Sequence, residues 1–514
     1  MAASRVLVLA LELGDGPLIC RWAREGRLPA IRALLERGRS GPLATTAELL
    51  HVSPLPSLYT GTGPGEHGVY FTFQPAPGLQ GWQRFQEGIY GRPSLWQLAS
   101  EQGRRCAVLD APYTHPEPGY QGLQVLNWGT WAHYLPPGST PPGLLRELEK
   151  ACGAYPLDLE AHDIGFMELD PADMSRRLVE ALRRRAEASR WLMRRQPWDL
   201  FFTVLDESHP AAHYCWRPDG GSESQPHLLA VYEELDRTVA ALVEEAGPET
   251  TVILVSGDAI GPNHAGWHLL PEILARLGLF SSADLPAGGA QRAAPPHEKK
   301  LDPVKALRDL LPKDFRKSLA RMLPTALRDR LAKRVDTASI DWSRTKAYCL
   351  LTDLEGCIRI NLRGREPEGI VEPGAEYEAL CAEIEAALGA LVNPATGRPA
   401  VARVLRAGEA FPGPRRDWLP DLIVLWDREA PISALVSPRT GTVAGPSPDH
   451  RPGTHAGPGF AVVAGPGVAP GALPAGAHIE DLAPAVLAAL GCTVPDHMAG
   501  NARNFLEAAA GKGA

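Results

Sequence analysis

Six short apolar runs punctuate the chain: VLVLAL from Val6, CAVLD from Cys106, DLFFTVLD from Asp199, TVILVSGD from Thr251, DLIVLW from Asp421 and FAVVAG from Phe460. Runs this short and continuous, rich in Val, Leu and Ile, read as strands covered on both faces. A helical pattern follows each of them. Strands buried on both sides that alternate with helices predict an α/β fold, a mainly parallel central sheet sandwiched by helices. Ligands of such sheets sit at the carboxyl ends of the strands. Here Glu12, Asp206, Asp258 and His455 stand at or soon after strand ends, so four separate segments are expected to converge on one crevice.

Between Asp258 and His455 the pattern changes. Lys299–Arg334 holds twelve Lys or Arg against four Asp, with Leu and Ala at helical spacing, and reads as a basic helical insertion with a solvated face. From about Ile340 to Trp426, strands near Tyr348 and Ile358 and a helix near Tyr377–Leu391 predict a small α+β cap. The expected organisation is a core domain over 1–280, the basic insertion over 281–345, the cap over 346–415, and the returning core over 416–514. There is no internal repeat.

At 514 residues the chain can bury a large core without disulfides. A net charge of −8 lacks the field that attracts polyanions, which argues against a nucleic-acid polymer as partner and leaves small anionic substrates open. Eight cysteines are scattered with no CxxC pair, a usage that suits reduced thiols and a cytoplasmic setting. The apolar stretch from Val6 is too short for a secretory leader and runs into Glu12 and Asp15. No stretch of about 18 apolar residues is present to form a transmembrane helix.

Three clusters carry chemistry. LDESHPAAHYCW supplies Asp206, Glu207, His209 and His213 directly after a strand; carboxylate plus imidazole is the ligand set of zinc or manganese. SGDAIGPNHAGWH supplies Asp258, Asn263, His264 and His268. PDHRPGTHAGPGF supplies Asp449, His450 and His455. Any one of them is also an ordinary polar turn. Their coincidence at strand ends points to a site with two divalent cations, which suits phosphoryl transfer.

Longer motifs carry a resemblance. VLVLALELGDGPLICRWAREGRLPAIRALLERGRSGPL, SPLPSLYTGTGPGEHGVYFTF with its TGxxPGxHG pattern, THAGPGFAVVAGPGV, and the closing IEDLAPAVLAALGCTVPDHMAGN follow one another in a family order. Together they resemble the alkaline phosphatase superfamily, most closely its type I phosphodiesterase/nucleotide pyrophosphatase branch. The resemblance implies an alkaline phosphatase-like fold and two metal ions, zinc or manganese. It makes Asp206, His213 and His455 ligands of one metal, with His209 competing with His213, and Glu12 and Asp258 ligands of the second. The family has Asp where Glu12 stands, and Asp15 is an alternative. It reads SDHG where this chain reads SGDAIG, which makes His264 the substitute for the missing histidine. His67 in PGEHG matches a position that ties the loop. Arg359, Arg363 and Arg365 fall in the family's cap region, where they either contact an anionic substrate or are solvated.

The nucleophile is where this chain departs most. Counted without gaps from Thr60-Gly61, the family's Thr or Ser falls on His51; a two-residue deletion brings Ser53 into place. Ser53-Pro54 reads as a helix N-cap followed by Pro at N1, a geometry that favours phosphate. His51 is itself a competent covalent nucleophile. The activity implied is metal-dependent hydrolysis of a phosphodiester or pyrophosphate-type bond in a small phosphate ester, through a phospho-enzyme on Ser53. Phosphomonoester hydrolysis and a catalytically reduced metal- or ligand-binding protein are the alternatives.

Overall fold

The computed structural model describes residues 5–75, 77–78, 80–84, 90–117, 119–130, 135–157, 170–218, 225–283, 339–350 and 354–506. The basic insertion falls almost wholly outside the described residues. Contacts divide the chain into two units: one drawn from Met1–Phe71, Gln86–Asn263 and His450–Ala514, the other from Thr72–Phe85 and His264–Asp449. The divisions at Asn263 and Asp449 differ from those drawn from composition, which stood at 280 and 415.

The first unit is built on a nine-stranded sheet. Its strands are β1 (Arg5–Leu11), β2 (Arg39–Leu43), β3 (Cys106–Leu109), β4 (Gly122–Leu126), β5 (Gly138–Thr140), β6 (Leu200–Leu205), β7 (Thr250–Ser256), β10 (Gly459–Ala464) and β11 (Gly471–Ala472), in the spatial order β11-β2-β10-β7-β1-β6-β3-β4-β5. A separate antiparallel pair, β8 (Ala259–Pro262) and β9 (Gly453–Ala456), completes the numbering. The centre of the large sheet is parallel: β1 lies between β6 and β7 in matched register, Leu11 opposite both Leu205 and Ser256. β10 pairs antiparallel with β7 and with β2. The sheet is therefore mixed, with a parallel core as the apolar runs predict.

Helices α1 (Gly16–Arg24), α2 (Pro29–Arg37), α3 (Pro54–Thr60), α4 (Pro171–Arg195), α5 (Ser208–Cys215) and α6 (Pro226–Ala246) pack around these strands. Leu7, Leu9 and Leu11 of β1 share one buried cluster with Ile19 and Trp22 of α1, Leu178 and Leu182 of α4, and Tyr232 and Leu235 of α6. Trp22 meets Tyr232 edge to face, ring centroids 5.0 Å apart. Asp15 caps α1, accepting from the Leu18 amide at 2.7 Å, while its other oxygen accepts from the Ile260 amide at 3.2 Å. Both oxygens of Asp15 thus accept backbone amides.

The second unit has its own core. One four-stranded antiparallel sheet runs in the order Ala347–Leu350, Gly356–Ile360, Leu422–Trp426, Val401–Arg406, with the helix Ala375–Gly389 packed on Val401–Arg406. The DLIVLW run thus lies here and not in the central sheet. A second small sheet orders Arg398–Pro399, Val392–Asn393, Ala434–Ser437 and Gly441–Ala444. Arg359 is fully buried and bonds Glu366 at 2.8 Å. Arg365 takes Asp421 in a two-pronged pair at 2.8 and 2.7 Å, and Arg363 meets Glu372 at the surface. Arg359 and Arg365 are therefore structural cross-links, neither solvated nor offered to a substrate.

Among the described residues no helix is long and apolar enough to cross a membrane, and none of the eight cysteines is disulfide-bonded.

Candidate metal centre

The parallel register decides what meets at the top of the sheet. Because Leu11 lies opposite Leu205, the next residues along β1 and β6, Glu12 and Asp206, emerge side by side. Asp258 follows β7 on the other flank of β1. α5 begins two residues after Asp206, and its His209 and His213, four apart, project from one face. The Ser208 hydroxyl donates to the Glu12 carbonyl at 2.6 Å, tying the start of α5 to the end of β1. β9 brings His455 in opposite Ile260.

Two groups of donors result. His209, His213 and His455 form one; Glu12, Asp206 and His209 form the other. Within each group the ligand atoms lie within 4.8 Å of one another, and every member is buried. His209 belongs to both groups.

Hydrogen bonds set the imidazole tautomers. A backbone carbonyl only accepts, so Nδ1 of His213, 2.8 Å from the Gly453 carbonyl, carries the proton and Nε2 carries the lone pair. That Nε2 faces Nε2 of His209 at 2.9 Å, with Nη1 of Arg451 at 3.3 Å. Nδ1 of His455 donates to Oδ2 of Asp258 at 2.7 Å, which leaves its Nε2 as the ligating atom. Asp258 also accepts from the Leu13 amide at 2.7 Å and from the Ser256 hydroxyl at 3.3 Å. Leu13 reaches it through a left-handed backbone, φ 55°, that non-glycine residues seldom adopt. Asp258 is in neither of these two groups and bonds His455, while Glu12 lies in a group with Asp206.

Three imidazoles and two carboxylates whose lone pairs point at one another repel unless protons or cations sit among them. Burial pushes Glu12 up to about 7, against a hydrogen bond from Asp206 that holds it down, and burial raises Asp258 to about 6. Burial, Arg451 and the neighbouring imidazoles drive His213 well below its ordinary value. The donor set is that of zinc or manganese, and the residues fit such ions.

Glu12 gives a sign that can be checked. In the unfolded chain it titrates near 4.5, in the folded chain near 7, so between these values only the folded state holds the proton. With chelator present, stability due to Glu12 is therefore complete below about pH 4.5 and is lost as pH rises through 7. His213 acts in the opposite sense, so the comparison is with Glu12→Gln: the melting temperature of wild type is expected to fall relative to that variant between pH 5 and 7.5. Parallel curves would contradict the raised acidity.

Gly453 is a second checkpoint. A Cβ there would lie 2.3 Å from the Ala212 carbonyl, so Gly453→Ala forces β9 away from α5 and drags the His213 anchor with it. The expected result is a loss of about 1–3 kcal/mol in urea unfolding together with weaker metal retention.

The remaining expected site residues are placed as follows. Ser53 directly precedes α3 but makes no capping bond; its fully buried hydroxyl donates to the Leu50 carbonyl at 2.7 Å and lies 2.5 Å from the Thr46 hydroxyl. The His51 ring packs 4.8 Å from that of His455. His264 belongs to the second unit and to neither donor group, its Nδ1 lying 2.9 Å from the Arg428 carbonyl. His450 is exposed and outside both groups. His67 accepts from the Val69 amide at 3.0 Å and meets Ser57 at 3.1 Å; burial lowers it to about 3, leaving it a neutral loop tie. Glu207, in the same strand-end segment as Asp206, is turned to Arg185. Two residues beside the site were not singled out by sequence reasoning, Arg451 and Arg185. The first adjoins a His in a Pro/Gly turn; the second sits in an Arg-rich helix that reads as solvated.

No curated protein matches the sequence significantly. Among solved structures, phosphonoacetate hydrolase from Sinorhizobium meliloti 1021, in complex with phosphonoformate, superposes with a TM-score of 0.51 at 14% identity, covering 95% of this chain and 96% of that one. Murine ectonucleotide pyrophosphatase/phosphodiesterase 5 matches at 0.49 and 13% identity, over 98% and 100%. The first of these supports an alkaline phosphatase-like fold. A family model, that of type I phosphodiesterase / nucleotide pyrophosphatase, matches residues 16–434. The match leaves only Glu12 and His455 of the donor groups outside it, and with most of the chain inside, the protein belongs to this family of phosphoric ester hydrolases.

Proposed function

We propose that the protein hydrolyses a phosphodiester or pyrophosphate-type bond of a small phosphate ester, with two divalent cations, zinc or manganese, held by Glu12, Asp206, His209, His213 and His455. The observation that carries this reading is the sharing of His209 between two buried donor groups at the ends of β1 and β6 and on β9. Bound there, such cations would neutralise phosphoryl oxygens and stabilise the attacking and leaving oxygens.

The chain's own residues supply the rest. Asp258 holds the His455 ring, the Gly453 carbonyl holds the His213 ring, and Arg451 adds positive charge beside His213. The nucleophile is better assigned to His51 than to Ser53, because the Ser53 hydroxyl is engaged inside the fold while His51 lies against His455. In the step proposed, a ring nitrogen of neutral His51 attacks phosphorus, the P–O bond to the leaving group breaks, and that oxygen takes a proton from solvent, which the later attack of water returns. Water then cleaves the P–N bond, which releases the phosphate product and restores the imidazole. The disulfide-free cysteines accord with a cytoplasmic setting.

Elemental analysis of the purified protein, run with hydrolysis of aryl phosphodiester and monoester chromogens before and after chelation, tests the proposal. Two metals per chain and diester cleavage that chelator removes and zinc or manganese restores are expected. Faster monoester cleavage would shift the substrate class. One metal or none, with neither ester turned over, would make this a binding protein on a hydrolase fold.

A further inference from the structure

Behind the donor groups lies a buried charge network that the proposed chemistry does not use. Arg185, on α4, is fully buried and bonds three loops at the carboxyl end of the sheet. Its Nε donates to both oxygens of Glu207 at 2.8 and 3.0 Å, its Nη1 to Oδ2 of Asp110 at 2.8 Å, and its Nη2 to the Gly129 carbonyl. Those partners follow β6, β3 and β4 in turn. The acceptors are themselves held: Asp110 takes the Trp128 and Gly129 amides, each at 2.8 Å, and Glu207 takes the Tyr155 hydroxyl at 2.8 Å.

We infer that Arg185 is a positioning residue for the metal centre, acting through Glu207 on the β6–α5 turn that carries Asp206 and His209. Successive carboxylates of that turn go to different partners, Asp206 to the donor group and Glu207 to the guanidinium. The turn is short: the His209 amide bonds the Asp206 carbonyl at 3.1 Å, so a rotation of Glu207 is passed to both neighbours. Asp110 and Asn127, at the adjoining strand ends, take left-handed backbone with φ of 48° and 59°, which Asp and Asn tolerate better than other non-glycine residues. Burying an arginine with two carboxylates is costly and would be matched by apolar packing if stability alone were at stake.

The inference rests on the metal-centre reading and is tested by zinc affinity, measured by competition with a chromogenic chelator, alongside thermal melting and kcat at saturating zinc. The variants are Glu207→Gln, Arg185→Lys and Arg185→Met. Glu366→Gln serves as control, since it weakens the equally buried pair with Arg359 in the other unit. Expected is a zinc affinity weakened about 10–100-fold by Glu207→Gln. Arg185→Lys should retain more affinity than Arg185→Met, and kcat should recover at saturating zinc. Glu366→Gln should lower the melting temperature and leave affinity unchanged. Should Arg185→Met fail to fold, Glu207→Gln and Arg185→Lys decide the matter. Zinc binding by wild type with unchanged affinity in the folded Glu207→Gln and Arg185→Lys proteins overturns the inference alone. Absence of zinc binding by wild type overturns the metal-centre reading and this inference with it.

Discussion

Replacing His209 by alanine is expected to stop turnover and to empty the centre of more than one metal equivalent. His209 is the one residue common to both donor groups, with Nε2 facing His213 and Nδ1 3.4 Å from Glu12. Cations at a phosphoryl centre contribute several kcal/mol of charge stabilisation, which corresponds to a rate loss of about a thousandfold or more. The fold should survive, because His209 adds little to the apolar core and its removal relieves crowding among buried polar groups. The measurement is kcat/KM on the diester chromogen together with metal per chain, with His450→Ala as an exposed control. A His209→Ala protein that keeps both its metal and its rate would show that the two groups do not work as one centre.

The second large effect separates two hydroxyl or imidazole candidates that stand two residues apart. His51→Ala is expected to cost on the order of a thousandfold or more, the scale of losing a covalent nucleophile, whereas Ser53→Ala should stay within a few-fold of wild type. The reason is geometric: Ser53 is spent on Leu50 and Thr46, and His51 lies against His455. Trapping with labelled substrate adds an independent readout. A phospho-enzyme on His51 has a P–N bond, labile in acid and stable in base, and one on Ser53 has the opposite profile. An acid-stable adduct lost in Ser53→Ala would return the nucleophile to serine and require the loop Leu50–Ser53 to open on substrate binding.

These two predictions depend on different kinds of information. The His209–His213 spacing is written in the chain, since residues four apart share a helix face whatever the helix packs against. The apolar runs at Val6, Cys106, Leu200, Thr251 and Phe460 likewise declare themselves, because a strand covered by helices on both sides must be apolar throughout. The run at Leu422 declared the same burial and belongs to another sheet: apolarity reports that a strand is covered and carries no address for its partner. β2, with sequence RSGPL, was hidden, since its Gly41 and Pro42 read as a turn, and pairing with β10 overrode that preference.

From its sequence alone, this protein's class of fold, its family resemblance and the residue types of its centre could be determined, because burial periodicity and donor chemistry are local properties. Which candidate donors come together was decided by tertiary structure. The parallel register that sets Glu12 beside Asp206, the Asp258–His455 bond, and the pairing of Arg185 with Glu207 and Asp110 all arise between segments separated by tens to hundreds of positions. Such contacts depend on strand order and packing, and neither is a property of any stretch of chain taken singly.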